Sequence, residues 1–319
     1  ISAPVVISFV GYTTKVYSLK ELESEPVIQL ETKVTDIKEV YVKSEGSGWP
    51  RQKMLQVFRE EFLGTSFNAQ SCKIKNEDDI YLYYNSENEI LHANSQNPII
   101  IENKLLGYTI HYLLEYFRKS NNGLQFGGYS KFEEHIFKKN RRKEKVEKQR
   151  RETYLGSRMH FTRFLYAYNL VQNDTLYDLQ VIRDLYNYYA YDQTTLSESI
   201  SDDLLKSSLI PKSEVNNIYL QRFENIFQLY TPQNEYLSVK NLIFESENRR
   251  DIFGVDTVKI VYLGNVQNSL MVVKSGIVEI FEDGYYNPEQ LSWGGSMSKQ
   301  RVGDLLPLEF EYKSPTPKK

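Results

Sequence analysis

A stretch of strict period two constrains this chain more than anything else in it. From Tyr108 the side chains alternate, with Tyr108, Ile110, Tyr112, Leu114 and Tyr116 on one face. Thr109, His111, Leu113, Glu115 and Phe117 fall on the other. Alternation rich in aromatic and β-branched residues is the signature of a long sheet strand. Ile99, Ile100 and Ile101 form a second apolar run just upstream, and residues 103–107 supply the turn between the two. A sheet is therefore being assembled within residues 58–117, and no catalytic apparatus is visible on it.

With 319 residues the chain has room for roughly two domains and a core that needs no staples. Tyrosine stands out, at 25 residues with 16 Phe and only 2 Trp. Its apolar ring and polar tip suit half-buried sheets and wet binding faces alike. The formal net charge of −3 gives no global basicity to recruit nucleic acid or an anionic membrane surface. Cys72 is the only cysteine, which excludes an internal disulfide and any multi-cysteine zinc site. No apolar run approaches the roughly 18–20 residues that a membrane-spanning helix needs. The N-terminus opens inside an apolar strand, ISAPVVISFV, without a basic leader region. The expectation is that the natural chain extends further upstream, where an export signal can lie.

Residues 1–45 read as short strands separated by turns. Residues 5–10 form an apolar run, 13–19 resume extended character, 26–30 form a short strand, and 37–42 alternate as another. Residues 44–50, SEGSGWP, have the composition of a linker, and Met54, Leu55, Phe58 and Phe62 then recur at helical spacing. Residues 79–84 and 89–93 read as a hairpin, and turns are expected at residues 121–123 and at Gly127-Gly128. One long helix, or two abutting at Gly156, is expected over residues 142–170, its first half solvated and its second half buried around Phe161, Phe164, Leu165 and Tyr168. Residues 177–191 carry strand signals, and 194–213 read as a long polar loop. Strands follow at 218–230, 237–245, 257–263, 269–274 and 276–281, with hairpin-like turns at 264–265, 274–276 and 283–284. The tail, 313–319, is expected to be disordered.

The segments VVISFVGYTTKVYSL and VIQLETKVTDIKEVYVK resemble the second half of a carboxypeptidase-regulatory-like domain. Residues 7–12 (ISFVGY) and 37–42 (IKEVYV) occupy the places of its characteristic strands. That domain is a β-sandwich common in exported Bacteroidetes proteins, and the name implies no peptidase activity. Further on, FLGTSFNAQSCKIKN, LGYTIHYLLEYF, YLGSRMHF and RVGDLLPLEF together resemble the larger module, without an established activity, that follows it in many such proteins. The resemblance implies an exported protein of the periplasm or outer membrane. The expected organisation is a sandwich remnant over 1–45, a linker and short helix over 46–57, and an α+β module over 58–312. The fold class is α+β and β-rich, with a mixed sheet, one long helix and C-terminal hairpins.

The chemistry is sparse. His92, His111, His135 and His160 form no ligand-spaced pair, so no metal is assigned. His160 falls in the buried half of the helix, where packing is the simpler role. No nucleophile elbow, phosphate-cradling loop or recognisable carboxylate pair points to a reaction, and no cofactor is assigned. Residues 138–152 hold nine basic and three acidic residues, with Arg141, Arg142, Lys143 and Lys145 the densest part. Glu144, Glu147 and Glu152 partly neutralise that face, so a solvated helix competes with contact to an acidic partner or lipid phosphates. Tyr285, Tyr286 and Trp293, set among Gly, Asn and Pro, read either as an exposed recognition loop or as a Trp tucked against the core. The expectation is a non-catalytic envelope scaffold that binds a protein partner; the alternative is polysaccharide binding through the Tyr/Trp loop, and a hydrolase with an unrecognised cleft ranks last.

Overall fold

Short connections favour strands that run back against one another, and every strand pair among the described residues is antiparallel. The sheets are therefore antiparallel where a mixed sheet was expected, and the class is α+β and β-rich. The computed structural model describes residues 4–9, 12–24, 27–32, 48–172, 227–237, 239, 242–246, 249–252, 255–262, 267–274 and 276–312. The chain divides into two compact units, Ala3–Arg150 with Lys299–Pro307, and Arg151–Ser298 with Leu308–Lys319. The segment read as one module over 58–312 falls across both.

The first unit begins with a hairpin, β1 (Val5–Ile7) against β2 (Lys15–Tyr17), followed by helix α1 (Leu19–Ser24). Helix α1 starts with a capping box: Ser18 Oγ accepts from the Glu21 N–H, and the Glu21 carboxylate accepts from the Ser18 N–H at 2.8 Å. A strand was expected at 26–30; residues 27–30 form none, and Thr32 just beyond makes an isolated bridge to Tyr12. The expected strand at 37–42 lies outside the described residues. Helix α2 (Arg51–Leu63) buries Met54, Phe58 and Phe62, as their spacing predicts, and Leu63 in addition, while Leu55 is only half-buried. Trp49, just before it, is no idle linker residue. Its ring stacks on Tyr84 at 4.1 Å, and the Lys53 ammonium lies 3.6 Å from its centroid.

After the single turn α3 (Phe67–Gln70) come β3 (Cys72–Ile74), β4 (Ile80–Asn85), β5 (Ile90–Ser95), β6 (Ile99–Asn103), β7 (Tyr108–Ser120) and β8 (Gly123–Glu134). They form one sheet in which β7 is central: β6 and β5 share one of its edges, and β8 runs along the other. The period-two pattern holds through Leu114 and then slips. A bulge lies between Leu114 and Tyr116, so Phe117 turns inward while Tyr116 is 38% exposed, the reverse of the sequence assignment. Gly127 and Gly128 sit opposite that bulge inside β8, not at a turn. A Cβ on Gly128 would lie 2.1 Å from the Leu113 carbonyl oxygen. Phe58 and Phe62 of α2 pack on the inner face against Phe117, Tyr112 and Phe126.

The segment Lys299–Pro307 is tied to this unit by buried polar groups. Asn103 Nδ2 donates to the Gly303 carbonyl at 2.9 Å, and Asp304 Oδ1 accepts from Ser66 Oγ and Asn68 Nδ2 at 2.7 and 2.9 Å. Arg150, on helix α4 (Asn140–Tyr154), donates to the Leu106 and Gly107 carbonyls and to Glu134, with its guanidinium over the Tyr108 ring.

In the second unit Gly156, at φ +73, separates α4 from α5 (Arg158–Gln172), which decides for two helices rather than one. Strands β9 (Phe227–Tyr230), β10 (Ile243–Ser246), β11 (Arg249–Ile252), β12 (Thr257–Tyr262), β13 (Gln267–Val273), β14 (Val278–Ile280) and β15 (Leu291–Gly294) follow, then the single turn α6 (Gly295–Ser298). They make two sheets, one ordered β15-β13-β12-β9 and one β10-β11-β14. The turn at 274–276 is therefore not a hairpin, because β13 and β14 belong to different sheets. Phe161, Phe164 and Leu165 of α5 share one core with Phe227, Leu229, Val258, Ile260 and Met271 of the first sheet, and with Ile252, Val278 and Ile280 of the second. Arg163 donates to the Asp283, Leu308 and Phe310 carbonyls at 2.7 to 3.0 Å, holding the final segment to this unit. The expectations for 177–191, 194–213, 218–226, 264–265 and the tail lie outside the described residues.

Candidate functional site

Alternation in TVKIVY sends Val258, Ile260 and Tyr262 into the core and leaves Lys259 and Val261 on the opposite face of β12. The pairing of the sheet then sets their neighbours. Val261 lies opposite Gln228 of β9 on one side and Asn268 of β13 on the other, and Lys259 lies opposite Tyr230 and Leu270. Of these outward side chains, Gln228, Tyr230, Lys259, Val261 and Asn268 line an open groove of about 390 Å³ together with Asn234.

The loop at 231–235, which contributes Asn234 to the lining, is tied by its own hydrogen bonds. The Thr231 N–H donates to the Glu235 carbonyl, the Asn234 N–H to the Thr231 carbonyl, and the Glu235 N–H to Thr231 Oγ1. Asn234 takes the left-handed conformation, φ +69, that asparagine tolerates better than most residues. Lys259 Nζ reaches up to this loop, donating to the Pro232 carbonyl at 2.7 Å and to Asn234 Oδ1 at 2.6 Å. Tyr230 donates its hydroxyl to Gln228 Oε1 at 2.8 Å and meets the Tyr236 ring edge-on at 6.2 Å.

Bonding among the described residues leaves several polar groups in the groove uncommitted. These are the whole Asn268 amide, the N–H groups of Gln228 Nε2 and Asn234 Nδ2, and the third N–H of Lys259. Amide donors and acceptors beside Val261 and tyrosine rings form a surface for a ligand rich in hydroxyl groups. Among the described residues no group of three or more His, Cys, Asp or Glu side chains could hold a metal.

The residues singled out in the sequence lie elsewhere. Trp293 is on β15 opposite Met271 and turns toward the core. Its ring stands edge-on to Phe161 at 6.1 Å, and its indole N–H donates to the Tyr286 hydroxyl at 2.9 Å. Tyr285 packs near Phe281, its N–H donating to Asp283 Oδ1. Of the two sequence readings the structure places Trp293 in the core-capping arrangement. Arg141, Arg142, Lys143 and Lys145 are exposed on α4, with Arg142 against the Phe137 ring and Lys143 paired to Glu147 at 3.8 Å.

His160, Cys72, His111 and His135 each have neighbours within the fold. His160 is buried and accepts the Gly156 N–H at Nδ1; burial, followed by the Arg163 charge, pushes its pKa down to about 3. Burial first, then the Asp304 carboxylate, pushes the Cys72 thiol up to about 12, where it has no nucleophilic thiolate. His111 Nε2 lies 3.3 Å from Glu133, whose carboxyl is held below its ordinary range by that imidazole, and His135 bonds Thr109. Gln228, Tyr230, Lys259 and Asn268 went unnoticed in the sequence. Their outward phase is readable in each strand, but the pairing that gathers them is not.

No protein-family model, no curated protein and no solved structure matches this chain.

Proposed function

We propose that this chain is a non-catalytic binding protein of the cell envelope, and that its ligand is a saccharide seated in the groove of the four-stranded sheet. One observation carries the reading: Gln228, Asn234 and Asn268 bring uncommitted amide groups into one open groove, beside Tyr230 and Lys259. Planar amides offer donor and acceptor together, which suits hydroxyl groups that do both. Binding without catalysis is supported by the states of His160 and Cys72, one a buried acceptor and the other a half-buried thiol with its pKa raised to about 12. The compartment rests on the resemblance of residues 7–12 and 37–42 to exported regulatory-like domains. No described helix is long and apolar enough to cross a membrane.

A second reading, a scaffold that captures a protein partner, is favoured by β8. This strand of 12 residues pairs only with β7 among the described strands, and an edge without a second strand is where an added strand can pair.

Calorimetric titration of the purified protein with a panel of soluble neutral and acidic oligosaccharides tests the main reading. At least one should bind, and the double variant Gln228→Ala/Asn268→Ala should weaken it by about tenfold or more with unchanged thermal unfolding. Silence across the panel sinks the saccharide reading and leaves the β8 edge, which in-cell crosslinking of the full-length protein then examines. Fractionation of the native host tests the compartment, and recovery in the cytosol contradicts it.

A further inference from the structure

Lys259 is the only charged side chain among the described residues lining the groove, and its electrostatics are one-sided. Its ammonium is held by two neutral oxygens, the Pro232 carbonyl and Asn234 Oδ1, and forms no ion pair with a carboxylate among the described residues. Neutral acceptors orient a cation without cancelling its charge. The third N–H and the full positive charge therefore remain for whatever occupies the groove. The chain as a whole is slightly acidic, at −3, so this cation is not one of a broad basic field.

We infer that the groove selects an acidic saccharide, a chain of uronic-acid units, with Lys259 as counter-ion to one carboxylate and the Gln228 and Asn268 amides bonding ring hydroxyls. This rests on the saccharide reading above and narrows it. A single cation flanked by amides suits one negative charge per sugar unit. A phosphate site would gather several cations or a nest of backbone N–H groups around the anion. The Lys259 bonds to the loop at 231–235 fix the ammonium in place before the ligand arrives, so little side-chain freedom is lost on binding.

The experiment titrates the protein with tetragalacturonate, with the same oligomer fully methyl-esterified, and with maltotetraose. Esterification removes the charge and keeps the sugar framework. The acid should bind about fivefold to tenfold tighter than its ester, a preference that shrinks between about 20 mM and about 300 mM salt. Lys259→Met should bring that ratio below about twofold, and Lys259→Arg should keep it. Thermal unfolding of each variant checks that the sheet is intact. Equal binding of acid and ester overturns the charge selection while leaving the saccharide reading in place. Failure of all three oligomers to bind overturns both. Equal weakening of all three ligands in Lys259→Met assigns the lysine to holding the loop, and that result also overturns its role as counter-ion.

Discussion

His160 is the residue whose environment has the sharpest consequence for stability. It is 4% exposed, enclosed by the Tyr154, Phe227 and Tyr262 rings, and its folded pKa of about 3 lies below the ordinary histidine range. The unfolded chain therefore takes up a proton near pH 6.5 that the folded chain refuses. The contribution is complete above that pH and is lost by about 1.4 kcal/mol per pH unit as pH falls toward 3. His92, lowered by burial and then by Arg118, acts in the same direction. Unfolding free energy measured between pH 6.5 and 5 should show this slope, and His160→Gln should flatten it by about one proton. A slope unchanged by His160→Gln contradicts the assignment. Cys72 gives a second check, since its thiol should react with a maleimide or iodoacetamide at least about 100-fold more slowly in the folded protein than in denaturant. The burial of His160 was legible from the helical spacing of Phe161, Phe164 and Leu165. Its acceptor role was not, because that depends on the left-handed turn at Gly156 that brings a backbone N–H to Nδ1.

Among the elements, the β7–β8 ribbon carries the strongest local constraint. Gly128 has φ +157, and an added Cβ would strike the Leu113 carbonyl oxygen, so Gly128→Ala should cost about 3 kcal/mol by denaturant unfolding. Gly123→Ala, at a positive φ but with nothing within 4 Å, should cost only about 1 kcal/mol. Equal losses at the two sites would show that the bulge is not the cause. Period two made β4 to β7 legible, since turn residues separate runs whose buried faces are plain in the sequence. The bulge was not legible: one extra residue, Glu115, moves Phe117 inward without altering the composition around it. Turn chemistry was likewise blind to which sheet the next strand joins, which is why 274–276 passed for a hairpin. Helix α1 went unread although its signal, Ser18 three residues before Glu21, was present.

At the scale of the molecule, each unit owns an aromatic core, and the groove and Trp293 both belong to the second unit, on opposite faces of its four-stranded sheet. This separates packing from binding. Trp293→Ala should lower stability by about 2–3 kcal/mol, through loss of its contacts with Phe161 and Tyr286, without changing saccharide affinity in the folded protein. The class was legible from alternation and turn composition, whereas the site was not. Gln228 and Lys259 come together only because β9 pairs with β12, a register settled by the whole core and not by either strand alone. The most direct measurement is amide hydrogen exchange of the full chain with and without the tightest-binding oligosaccharide. Slowed exchange confined to residues 228–234, 259–261 and 268–269 is the result expected of a ligand in the groove. Slowed exchange at 285–293 or along Gly123–Glu134 instead contradicts it, and moves the binding site to the aromatic region or to the edge of β8.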